Sequence, residues 1–190
     1  MRNPLSPREE DEYRALRATI RQRGTARVWI FLAGFVAWAA LAVAAGALVS
    51  APVATLLPLL VLAATFEAVF ALHVGVERIG RYLQVFFEDD ETGWEHTAMA
   101  FGRPPGSAST DPLFVVPFLI ATVFNAAPVS ILQPALPELV FVAGGHALFV
   151  LRVVVARAAA AKQRAVDLAR FQQLRVNNVG LHSSTSASSL

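Results

Sequence analysis

Glu67 is the only charged side chain deep within an apolar stretch of this 190-residue chain. It lies eleven residues before Arg78, about 16 Å along a helix. Trp38 lies eleven residues after Arg27 in the preceding apolar stretch, which sets its indole N–H at the same depth. An unpaired carboxylate in such surroundings is costly, so the residue is expected to be neutral, hydrogen-bonded or wet. Two chemistries fit. One is a protonated Glu67 bonded to Trp38 or to a backbone carbonyl, holding two helices together. The other is a proton or cation relay, which requires Glu67 and Asn125 to face one cavity. The first is favoured, because a relay needs several polar groups along its path, and Thr65, Asn125 and Ser130 supply few.

His73 and His146 form a second constellation. His73 stands five residues before Arg78 and His146 six before Arg152, so a ruler laid from those arginines puts both imidazoles at one depth. Histidines at one depth on alternate helices of a bundle can ligate haem from both sides. The stronger reading needs no metal: His73, Glu77 and Arg81 follow one another at i, i+4 and i+8, a polar ladder along one helix face. Glu88, Asp89, Asp90 and Glu91, with Glu95 and His96 beyond, carry enough oxygens for a divalent cation. They lack the alternation and the turn glycine of an EF-hand loop, so a solvated helix end is preferred.

Other chemistries are excluded or unsupported. Cysteine is absent, which removes disulfides, thiol nucleophiles and Cys-ligated metals together. No phosphate-binding glycine loop, nucleophile elbow or zinc-protease helix occurs. The stretch Gly102-Arg103-Pro104-Pro105-Gly106 lacks the backbone donors a phosphate cradle needs.

The elements that must position these residues follow from charge and hydropathy. All sixteen Lys and Arg residues fall within 2–27, 78–103 and 152–175, and the two long stretches between contain none. Confining basic residues to alternate connections is the positive-inside pattern of a membrane protein. A hydrophobic content of 55% exceeds what a soluble core of this size requires. The expected fold class is therefore all-α: a polytopic integral membrane protein with four transmembrane helices in two hairpins. The spans are placed at about 28–49, 53–76, 113–132 and 138–156. The first apolar run is too long for a signal-peptide core and is expected to remain as a span. An even number of crossings with both termini cytoplasmic satisfies every basic segment at once.

Outside the spans, Ser6-Pro7-Arg8-Glu9 reads as a capping box with Pro at the first helical position. It opens an amphipathic helix over 1–27 carrying Tyr13, Leu16 and Ile20, which Gly24 is expected to break or bend. A cytoplasmic loop is expected over 77–112, with the second-span helix continuing along Val76, Ile79, Leu83 and Phe86 and a short helix from Trp94 to Phe101. Pro128 is expected to kink or end the third span. A helical extension follows over 157–181, and the Ser-rich residues 182–190 are expected to be disordered. Ala40, Ala44, Ala42 and Gly46 mark a small-residue face for helix contact in span one.

The functional expectation is a non-enzymatic scaffold or accessory subunit of the cell membrane. Its partners are expected to be the lipid bilayer and other membrane-protein subunits or itself. No nucleic-acid partner is expected, because orientation already explains the arginines. A small oligomeric channel or transporter with Glu67 on its pathway is the alternative class, and a haem-binding electron carrier is the third.

Overall fold

The computed structural model describes residues 5–48, 51–88, 93–101 and 112–187. Among them it is helical with no strand: α1 Pro7–Leu48, a short 3-10 helix Pro52–Thr55, α2 Leu56–Phe86, α3 Trp94–Phe101, α4 Pro112–Leu132 and α5 Leu136–Ala187. Four of these stretches are long and apolar enough to cross a membrane, within Pro7–Leu48, Pro52–Phe86, Val115–Leu132 and Leu136–Asn177.

Local chemistry accounts for most boundaries. Ser6 and Glu9 form the reciprocal capping box: the Ser6 amide donates to Glu9 Oε2 at 2.8 Å, and the Glu9 amide donates to Ser6 Oγ at 3.4 Å. Pro52 opens the 3-10 helix, and the Thr55 hydroxyl closes it by donating to the Pro52 carbonyl. Gln133, at φ 46°, terminates α4 in the left-handed conformation common after helix ends.

One expectation is corrected, the break at Gly24. Gly24 lies within continuous helix, since one glycine costs only about 1 kcal/mol against alanine in a 42-residue helix. Pro128 lies in the last turns of α4, which ends four residues later at Leu132, the end expected for the third span. A missing amide is tolerated where neighbouring groups take up the freed carbonyl. Helix α5 continues to Ala187, past His182, because serine is only modestly unfavourable in a helix interior.

The chain divides into two compact units. A charged unit comprises Met1–Arg23, Val74–Ser109 and Ala159–Leu190, and an apolar unit comprises Gly24–His73 and Thr110–Ala158. Of the sixteen basic residues only Arg27, Arg152 and Arg157 fall in the apolar unit. That unit is built around an aromatic centre. Phe66 meets Phe118 edge-on at 5.2 Å and Phe149 at 6.0 Å, with Leu62 and Val153 fully buried beside them. Phe31, Phe35 and Trp38 of α1 pack against this core. Its outward positions are also apolar, among them Val36, Val43, Leu57 and Val123. Inside lie Thr55, Thr65, Thr122, Asn125 and His146, all buried. Apolar groups outside and bonded polar groups within is the arrangement that suits a hydrocarbon solvent.

Gly34 sets the approach of α1 to α2. A Cβ there would stand 2.2 Å from the Thr65 hydroxyl oxygen, so only glycine fits. The small-residue face expected around Ala42 and Gly46 does not make this contact: a Cβ at Gly46 would meet nothing within 4 Å.

Candidate functional site

Asn125 of α4 is the centre of the apolar unit's polar interior. Its Oδ1 accepts from Trp38 Nε1 at 3.1 Å, and its Nδ2 donates to the Thr55 carbonyl at 2.8 Å and to His146 Nε2 at 3.0 Å. Indole N–H is only a donor and a backbone carbonyl only an acceptor, so these two partners fix which way the amide points. His146 Nε2 must then accept. Its Nδ1 therefore carries the proton and donates to the Val142 carbonyl at 2.8 Å. One arrangement of hydrogens satisfies all four bonds and ties α1, the 3-10 helix, α4 and α5 together. The Thr65 and Thr122 hydroxyls return to the Val61 and Phe118 carbonyls of their own helices.

Beside this network is a cavity of about 310 Å³. Ala42, Gly46, Pro58, Phe124 and Leu132 wall it, with Thr55 and Asn125 at its polar edge. Because its walls are mostly apolar and the donors of Thr55 and Asn125 are already engaged, the cavity suits an apolar group better than a hydrogen-bonding ligand.

Glu67 is placed differently from expectation. Trp38 bonds to Asn125, and Glu67 Oε2 instead accepts from Arg152 Nη2 of α5 at 2.7 Å. This pair lies on the outside of the unit, with Glu67 48% and Arg152 44% exposed. The Arg152 guanidinium also stands 5.8 Å from the Phe70 ring centre. Glu67 and Asn125 thus face different surroundings. The pair also corrects the ruler: Arg152 is level with Glu67, so depths measured from it as an end marker are wrong.

His146 moves accordingly. Through Asn125 it lies level with Thr55, which is eighteen residues before His73 and so roughly 27 Å away along α2. His73 Nδ1 accepts from Arg27 Nη1 at 3.1 Å. The two imidazoles are at opposite ends of the apolar stretch, and both nitrogens of His146 are engaged. They cannot ligate one haem. Of the polar ladder, the rung from Arg81 to Glu77 forms, with Nη1 3.6 Å from Oε2.

In the charged unit, ion pairs join segments remote in sequence. Arg81, 2% exposed, holds Asp167 at 3.0 Å, Arg78 reaches the same Oδ2 at 3.3 Å, and Arg164 pairs with Glu77. Burial pushes the Asp167 carboxyl up, but bonds from Gln163, Arg81 and Arg78 outweigh it and hold the group below its ordinary value. Tyr82 donates to Glu12 at 2.7 Å, and burial first, then that bond, pushes its hydroxyl up to about 12. Arg17 contacts Glu95 at 2.6 Å. Burial lowers its pKa, but the Tyr13 bond and Glu95 leave it raised.

The acidic cluster resolves in part. Asp89, Asp90 and Glu91 lie outside the described residues. Glu88, buried, caps α3: its carboxylate accepts from the Glu95 amide at 2.8 Å and the His96 amide at 3.1 Å. Those oxygens serve a helix N-terminus, which explains Glu88 without a cation. Among the described residues no group of three or more His, Cys, Asp or Glu side chains is arranged to hold a metal.

Compared with known proteins, the chain matches no family model, no curated protein and no solved structure.

Proposed function

We propose that the chain is a multi-pass membrane protein whose apolar unit crosses the bilayer four times in two hairpins. Both termini and the three basic segments lie on the cytoplasmic side, and the role is a non-catalytic scaffold or accessory subunit. The observation that carries this reading is the Asn125 network: the Trp38 indole N–H, both Asn125 amide hydrogens and the His146 Nδ1–H are spent on joining helices or on the helix's own carbonyl, so the donors of this polar interior are engaged within the fold. The charged unit supplies the working surface in this reading, with its segments joined by ion pairs and Arg-rich helices facing anionic headgroups or a partner. Mild-detergent purification from native membranes tests it. Recovery of a stoichiometric protein or lipid partner is expected, and recovery of the chain alone would contradict it.

A second reading has its own observation. Glu67 is half exposed on the unit's outer face, so in an oligomer it would be available to a shared ionic pathway. Proteoliposome flux decides between them. Flux by the wild type that Glu67→Gln abolishes favours the channel, whereas absence of flux from both removes it.

A further inference from the structure

We propose that the α2/α5 face of the apolar unit, centred on Glu67 and Arg152, is the interface with a second copy of this chain. The inference rests on the membrane placement above but not on the scaffold role. Ionisable groups inside a bilayer almost always face protein or a water-filled cavity, because hydrocarbon offers no solvation. Here the pair satisfies itself in part and turns its remaining surface outward, with nearly half of each side chain uncovered. Some polar surface must meet it.

Symmetry identifies the occupant. Glu67 and Arg152 lie side by side on neighbouring helices at one depth, as their 2.7 Å contact requires. A two-fold axis along the membrane normal would set each carboxylate opposite the partner's guanidinium, because the rotation exchanges left and right and preserves depth. The four charges then form a ring of alternating sign, a self-complementary patch of the isologous kind. The flanking positions suit close approach: Ala64 and Ala71 are exposed near Glu67 on α2, and Leu148 and Val155 are exposed near Arg152 on α5.

The absence of cysteine makes the test clean. The proposed axis sets α2 of one copy against α5 of the other, so Ala64→Cys in one tagged chain and Leu148→Cys in a second should form a disulfide linking the two tags in membranes. Replacing the first by Val123→Cys, on α4, should abolish the link. Separately, Glu67→Arg or Arg152→Glu alone should lose dimer, since like charges then meet across the axis. Co-expressing the two should restore it, because every cross-axis contact again joins opposite charges while neither chain is paired internally. Extraction at alkaline pH is run in parallel. A chain that resists extraction yet gives no cross-chain disulfide, or links equally at Val123, overturns the proposal. So does failure of the mixed charge variants to restore dimer when both remain integrated. If either charge variant fails to integrate, the cysteine pairing decides alone. Release of the wild-type chain by alkali would overturn the membrane placement and this interface with it.

Discussion

Charge is turned inward in one unit and outward in the other. In the charged unit the Arg81 and Asp167 side chains are 2% and 10% exposed, whereas in the apolar unit Arg152 and Glu67 are 44% and 48% exposed. In water both pairs would be expected to face outward, since burying an ion pair is expensive and exposing one is nearly free, whereas in hydrocarbon an outward pair is the costly one. The contrast is understandable when the two pairs do different jobs. Arg81 and Asp167 join α2 to α5 within one chain. Glu67 and Arg152 also join those helices, but they leave a polar patch on a largely apolar surface, the patch at which a second copy is proposed to dock.

The largest expected effect breaks the inward pair. Asp167→Asn should destabilise the charged unit by about 3 kcal/mol, because buried Arg81 loses its shorter ion pair and keeps the longer one to Glu77. Thermal unfolding in detergent measures it, and an unchanged midpoint would count against the network. The pH dependence has a definite sign. Asp167 is held below its ordinary value, so its stabilisation is full above the normal carboxylate range and is lost as pH falls through the depressed value. The gap between wild type and Asp167→Asn should therefore be constant near neutrality and close in acid.

Next is the polar interior of the apolar unit. Asn125→Leu leaves the Trp38 N–H, the Thr55 carbonyl and His146 Nε2 without their partner, a loss of about 2 kcal/mol given the modest worth of hydrogen bonds in membranes. Differential scanning of the purified variant checks this. Gly34→Ala should cost about 1–2 kcal/mol, since the added methyl overlaps Thr65 and forces α1 away from α2. Thr65→Ala in the same chain should recover part of that loss, and additivity of the two changes would contradict the contact. Smallest is Glu67→Gln. Within one detergent-solubilised chain the pair is exposed, and its loss should change stability by less than about 1 kcal/mol. A large effect there would mean that the pair acts inside the fold and not between copies.

How much of this was legible in the sequence depends on the range of each interaction. Local signals read well: the Ser6–Glu9 box, the helix from Trp94 to Phe101 and the run of α2 to Phe86 are set by neighbours within a turn or two. Contacts between helices read poorly, because they depend on register and rotation that one sequence does not encode in its spacing. Depth alone matches Trp38 with Glu67, whereas Asn125 on a third helix takes its N–H. A depth ruler fails at Arg152 for a related reason: an arginine near the end of an apolar run reads as an interface marker, and only its acidic partner shows that it lies level with Glu67. Gly34 was hidden among many small residues, and a lone glycine beside Phe31 and Phe35 carried no periodic signal.

Placement of the apolar unit across a bilayer is the claim on which the contrast depends, and side-specific labelling of single cysteines tests it most directly. In oriented vesicles, Ser6→Cys, Thr97→Cys and Gln172→Cys should react with a membrane-impermeant maleimide from the same side. Ala51→Cys should react only from the other, and Ala64→Cys from neither. Labelling of position 97 from the side opposite position 6, or of position 51 from the same side, would contradict the account.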